Sequence, residues 1–122
     1  MSDYLKNKKM NLGFIGCGHI AHFHADVLNE LDVNIIAVSA RENSPNMASF
    51  SKKYGIRSQY SDWQLMVKNE DLDALWVMAS WDQMDELLIP LIETGLPLFL
   101  EKPVALSSAK ILEAIEVHKK SK

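Results

Sequence analysis

The chain has 122 residues, of which 48% are hydrophobic and 24% charged, with a formal net charge of −3. This composition suits one compact domain with an apolar core and excludes a disordered tail or a minimal scaffold. The mild acidity leaves no footprint for nucleic acid, and no apolar run approaches the length of a membrane span. Residues 1–10 carry Lys6, Lys8 and Lys9 but lead into no uninterrupted apolar segment, so they read as a flexible leader, not a signal peptide. The single cysteine, Cys17, excludes an intrachain disulfide and fits a reducing cytoplasm.

The folded domain is expected over residues 11–122. Leu12 to Ile15, broken by Gly13, reads as a first strand, and Gly16-Cys17-Gly18 as a turn. A helix follows, in which Ile20, His24, Val27, Leu28 and Leu31 fall on one apolar face at helical spacing. Gly16 permits the tight turn, Gly18 offers backbone with no Cβ to an approaching pyrophosphate, and Ala21 is small enough for close helix–strand packing. The helix N-terminus supplies orphan N–H groups and a positive dipole end for phosphates. Strand, glycine turn and helix together predict a dinucleotide-binding turn.

Asn34 to Val38 is a continuous apolar run of the kind found in parallel sheets, buried on both faces. Pro45 marks a helix start, Met47, Phe50 and Tyr54 form its stripe, and Gly55 closes it. Ile56 to Tyr60 reads as a short strand, and Ser61 or Asp62 caps a brief helix over Trp63 to Asn69. Ala74 to Met78 is a fourth strand. Asp82 is the expected cap of the next helix, whose buried face is Met84, Leu87, Leu88, Leu91 and Ile92. Pro90 inside that stripe predicts a kink or an early stop. Leu98 to Leu100 is a fifth strand leading to Glu101-Lys102-Pro103, and Ser107 or Ser108 caps a last helix with Ile111, Leu112 and Ile115 inward. The cationic end of that helix, from His118 onward, complements its dipole.

A strand–helix unit repeated about five times predicts an α/β fold, a doubly wound parallel sheet of the Rossmann type. Ligands on such sheets sit at the carboxyl ends of the strands beside the switch point, which directs attention to residues 16–21, 39–42, 79–82 and 101–103. A metal site at Cys17, His19, His22 and His24 has the right ligand types but is disfavoured. The turn backbone is needed for phosphates, and His22 and His24, two apart on a helix, point different ways.

The turn Gly16-Cys17-Gly18-His19-Ile20-Ala21 with His24 one turn on, together with Glu101-Lys102-Pro103, resembles the glucose–fructose oxidoreductase/inositol dehydrogenase (Gfo/Idh/MocA) family. The resemblance covers the chain from about Asn11 to the last helix, within the family's N-terminal nucleotide-binding domain. It implies an NAD- or NADP-dependent oxidoreductase acting on sugars, inositols or related hydroxyl and carbonyl compounds. Gly16, Cys17, Gly18 and the N–H groups of His19 and Ile20 would then hold the pyrophosphate. Ser39 and Arg41 would face the adenosine ribose. Ala79, Ser80 and Trp81 would lie along the nicotinamide ribose, and Glu101, Lys102 and Pro103 at the nicotinamide. Lys102, by this resemblance, is the catalytic residue that polarises the reacting oxygen, and the Lys102–Pro103 bond is implied to be cis.

Three departures matter. The acidic residue common at the end of the second strand is replaced here by Ser39-Ala40-Arg41, which favours NADP over NAD because a guanidinium grips a 2′-phosphate. The alternatives are an Arg41 that is only a solvated loop charge, and a Glu42 that turns in as the acid. Asp85 stands where the family often has a His, and Trp81 where Pro is frequent. The substrate domain that forms the second half of family members lies outside these residues, so the chain alone is expected to bind cofactor with little or no turnover. With the fifth strand an edge and the domain-facing surface bare, a homo-oligomer is expected. A stand-alone, non-enzymatic nucleotide-binding sensor or partner subunit is the alternative. A methyltransferase is disfavoured by the form of the glycine turn.

Overall fold

Among the described residues, short and mostly apolar extended segments alternate strictly with helix-forming segments, giving five strands and five helices. The computed structural model describes residues 9–102 and 105–120. The elements are β1 (Met10–Ile15), α1 (His19–Leu28), β2 (Val33–Ser39), α2 (Met47–Tyr54), β3 (Ser58–Tyr60), α3 (Trp63–Asn69), β4 (Ala74–Val77), α4 (Trp81–Glu93), β5 (Leu98–Leu100) and α5 (Ser108–Lys120). The strands form one parallel sheet in the order β3-β2-β1-β4-β5. The direction of winding therefore reverses at β1, which has β2 on one side and β4 on the other, and the expected doubly wound α/β fold is present.

The two faces carry separate cores. On one, Leu12 and Phe14 of β1 meet Ala21, Ala25 and Leu28 of α1 and Phe50 of α2. On the other, Ile15, Ala37, Leu75 and Val77 meet Met66 of α3 and Met84 and Leu91 of α4. Gly13 makes room for the second layer, because a β carbon there would lie 2.8 Å from Leu72 Cδ1. Helix α5 packs on α4 through Ala114 and Leu88, joined by Ala105 from the segment before α5, and the Asp85 carboxylate accepts a 2.7 Å hydrogen bond from the Leu106 amide.

Asp62 caps α3 as expected, accepting from the Gln64 amide at 2.9 Å, and Gly55 closes α2 in the left-handed conformation. Five local expectations need correction. The buried face of α1 is Ala21, Ala25 and Leu28, whereas Ile20 is 41% and Val27 63% exposed, and Leu31 lies beyond the helix end. Small residues face the sheet because α1 lies close to it, leaving the larger apolar stripe on the flank. Ser80, not Asp82, is the N-cap residue of α4, with Asp82 in the first turn. Of the two outcomes expected at Pro90, a kink or an early stop, the early stop does not occur, because the helix runs on to Glu93. Ile56 precedes β3 instead of opening it. On α5, Ile111, Leu112 and Ile115 are exposed and Ala114 is the buried residue. There too the small side chain faces the neighbour. Pro103, with its expected cis bond, lies outside the described residues. Among the described residues no helix is long and apolar enough to cross a membrane.

Candidate functional site

The carboxyl ends of β1, β2 and β4 splay around the reversal point and leave a cleft of about 640 Å³ between their loops. Its floor is the glycine turn. Gly16 has φ +98°, and a β carbon there would meet the Met78 carbonyl oxygen at 2.5 Å. Its hydrogen is therefore required twice, by the turn and by the passing β4 backbone. At Gly18 a β carbon would meet nothing within 4 Å. The space above it is open, as a cradle for a ligand must be. Gly18 is the N-cap residue of α1, no side chain caps the helix, and no acidic residue occupies its first turn. Its leading N–H groups and dipole end are thus left for an anion.

The second wall is the loop after β2. Ser39 is buried, Arg41 to Asn46 line the cleft, and Asn43 turns the chain at φ 65°. Cys17 Sγ lies 3.7 Å from Ser44 Oγ, joining the glycine turn to this loop. Burial pushes the Cys17 thiol up from its ordinary range, against the Ser44 hydrogen bond. At 4% exposure the thiol packs in the core beneath the turn.

The third wall is the start of α4. With the Gln83 amide oriented to give each end a complementary partner, its oxygen accepts from Arg41 Nε at 2.5 Å and Nη2 at 2.9 Å, and its nitrogen donates to Ser80 Oγ at 3.1 Å. The Ser80 hydroxyl donates in turn to Asp82 Oδ1 at 2.6 Å. That bond, followed by backbone N–H groups and Arg41, holds the Asp82 carboxyl below its ordinary range against partial desolvation. Arg41, itself exposed, thus reaches across the cleft toward α4.

Of the residues expected at a cofactor site, Gly16, Cys17, Gly18 and Ile20 line the cleft, as do Ser39, Arg41, Ala79 and Ser80. Four others do not. His19 is exposed at the start of α1, its ring edge-on to Phe23 at 5.0 Å. Trp81 is 59% exposed. Glu101 is half-buried at the end of β5 and Lys102 is exposed beside it. The sequence reading missed Gln83 and the Asn43–Asn46 loop. The loop had a signal, since it follows a strand that ends at the reversal point. Gln83 had none without the fold.

His22 and His24 turn to different partners: His22 Nδ1 lies 3.3 Å from the Tyr54 hydroxyl, and His24 Nδ1 accepts from Trp76 Nε1 at 3.1 Å. Among the described residues no three Cys, His, Asp or Glu side chains converge as metal ligands.

This geometry agrees with the comparison to known proteins. Residues 10–122 match the model of the Gfo/Idh/MocA oxidoreductase family, NAD-binding Rossmann fold. The chain belongs to that family. It is 29% identical over 112 residues to myo-inositol 2-dehydrogenase of Thermotoga maritima, covering 92% of this chain and 34% of that protein. It is 32% identical over 117 residues to inositol 2-dehydrogenase of Burkholderia vietnamiensis, covering 91% and 34%. The structure of scyllo-inositol dehydrogenase from Lactobacillus casei with NAD(H) and scyllo-inositol superposes with a TM-score of 0.82 at 20% identity, over 93% of this chain and 34% of that one. The chain thus spans about a third of the length of the relatives it matches. This Gfo/Idh/MocA chain carries the family's NAD-binding Rossmann domain.

Proposed function

We propose that this chain is the nucleotide-binding half of an NAD(P)-dependent oxidoreductase whose substrate is an inositol, a sugar or a related hydroxyl or carbonyl compound. The observation that carries the reading is the open cradle over Gly18 at the uncapped N-terminus of α1, inside a cleft placed at the sheet's reversal point. The pyrophosphate would lie against the N–H groups following Gly16-Cys17-Gly18. Ser39 and the β2–α2 loop would hold the adenosine ribose, and Ala79, Ser80 and Trp81 would run toward the nicotinamide end, where Glu101, Lys102 and Pro103 follow β5. The bound nicotinamide supplies the hydride chemistry, and the protein supplies orientation and electrostatics. Lys102, exposed at the end of β5, is assigned the reacting oxygen by family likeness. The dehydrogenase names of the relatives support the substrate class. Residues beyond this third of those proteins would complete the pocket, so the isolated chain binds cofactor with little or no turnover.

NADP is the preferred cofactor. Arg41 lines the cleft where a ribose carboxylate partner is common, and Gln83 holds its guanidinium across the opening. Calorimetric titration with NADPH and, separately, NADH tests this. NADPH should bind more tightly, and Arg41→Ala should erase that preference without reducing NADH affinity. Equal binding by the unmodified chain removes the 2′-phosphate role. Binding of neither removes the cofactor reading.

The exposed apolar stripes on α1 and α5 also fit a homo-oligomer, or a non-enzymatic nucleotide-binding subunit that docks on a partner. A reducing compartment such as the cytoplasm suits the buried free thiol of Cys17.

A further inference from the structure

On the sheet face beneath α1, outside the cleft lining, three side chains form a chain of contacts ending at Glu101. Trp76 and Phe99 occupy paired positions of β4 and β5 and stack at 4.3 Å with their planes 2° apart. This stacking fixes the indole plane. The His24 ring packs against Phe99 at 5.2 Å, and its Nδ1 lies 3.1 Å from Trp76 Nε1. An indole nitrogen only donates. His24 Nδ1 must therefore be the acceptor, which in the neutral ring puts the proton on Nε2. Nε2 faces Glu101 Oε2 at 3.6 Å, just beyond hydrogen-bond length, while Glu101 Oε1 accepts from the Lys102 amide at 3.2 Å.

We propose that Trp76 and His24 are positioning residues: the indole N–H fixes the His24 tautomer, and the Nε2–H so presented orients the Glu101 carboxylate beside Lys102. The role rests on the reading that Glu101 and Lys102 meet the nicotinamide. It follows that the first helix and the fourth strand, which otherwise serve the phosphates and the core, set the geometry of the nicotinamide end. A purely structural His24 would accept from Trp76 in the same tautomer but would need no carboxylate at its far nitrogen.

The test uses the chain itself, labelled with ¹⁵N. His24 should show the Nε2–H tautomer at neutral pH, and Trp76→Phe, which keeps an aromatic ring against Phe99 but removes the donor, should convert it to a tautomer mixture. Titrations with NADH and with ADP-ribose, which lacks the nicotinamide, then separate the two ends of the site. Trp76→Phe and His24→Ala should weaken NADH binding roughly two- to tenfold, the range expected for one lost hydrogen bond, and leave ADP-ribose binding unchanged. His24→Gln, whose amide retains one acceptor and one donor, should recover most of the loss. A proton on Nδ1, an unaltered NADH affinity, or equal losses for both ligands would each overturn the relay. A chain that binds ADP-ribose but shows no such NADH effect refutes the relay alone. A chain that binds neither ligand refutes the cofactor reading and the relay's role with it.

Discussion

The two glycines of the turn make opposite demands, and substituting each with alanine separates fold from binding. At Gly16 a β carbon would sit 2.5 Å from the Met78 carbonyl oxygen, which is backbone and cannot swing aside, and the residue has φ +98°. The disfavoured dihedral costs on the order of 1–3 kcal/mol. Forcing the β1 turn and β4 apart adds about 1–3 kcal/mol, as overpacking in a well-packed interior does. Together these take a large share of the roughly 5–15 kcal/mol that stabilises a typical domain. At Gly18, φ is −82° and the added carbon meets nothing within 4 Å. Alanine there should change stability by no more than about 0.5 kcal/mol. Denaturant unfolding of the unmodified chain, Gly16→Ala and Gly18→Ala measures both costs, and dinucleotide titration measures the other half. Gly16→Ala should unfold at markedly lower denaturant. Gly18→Ala should match the unmodified chain in stability yet bind dinucleotide more weakly, because its methyl group stands in the cradle. A Gly16→Ala chain as stable as the unmodified one, or a Gly18→Ala chain equally destabilised, would refute the reasoning.

Tyr54 fastens α2 to α1 by donating to Asp26 Oδ1 at 2.6 Å, and burial, then Asp26, pushes its phenol from 10.0 up to about 12. The folded state thus holds this proton more tightly than the unfolded one, so the contribution is intact below pH 10 and lost as pH rises through about 12. Thermal melts across that window should show a shallower alkaline decline in Tyr54→Phe, and an identical slope would count against the link. Asp85 anchors the start of α5 through the Leu106 amide. Asp85→Ala should therefore speed Leu106 amide exchange and cost about 1 kcal/mol, whereas Asp85→Asn, which keeps an oxygen acceptor, should recover much of it. Unchanged exchange would mean that α5 is held by its apolar contacts alone. Light scattering should find dimers or larger species, given the exposed Leu112 at 64% and Val27 at 63%. A clean monomer would remove that expectation.

Where local chemistry decided the outcome, the sequence was readable. Gly55 closing α2 and Asp62 capping α3 needed no knowledge of neighbours. The glycine turn was legible for the same reason, although the crowding of Gly16 by Met78 was not, since it depends on which strand lies beside β1. Periodicity correctly announced the helices α1 and α5 but misassigned their faces. An apolar stripe is visible in one dimension, whereas the partner that buries it is not. Ala21 and Ala25, with Leu28, proved to be the inward residues of α1, and Ala114 that of α5, because close approach favours small side chains over larger hydrophobic ones. The contacts of Arg41 with Gln83 and of Trp76 with His24 were out of reach for a different reason. Each joins residues remote in the chain that meet only once the strand order places β2, β1 and β4 side by side.

The most direct measurement is to follow the backbone amide resonances of the ¹⁵N-labelled chain while NADH, and then NADPH, is added. A dinucleotide site at the reversal point predicts the largest shifts at residues 16–20, 39–46 and 79–83, with Gly18 and Ile20 foremost. Shifts absent from the glycine turn, or confined to the exposed faces of α1 and α5, would contradict it.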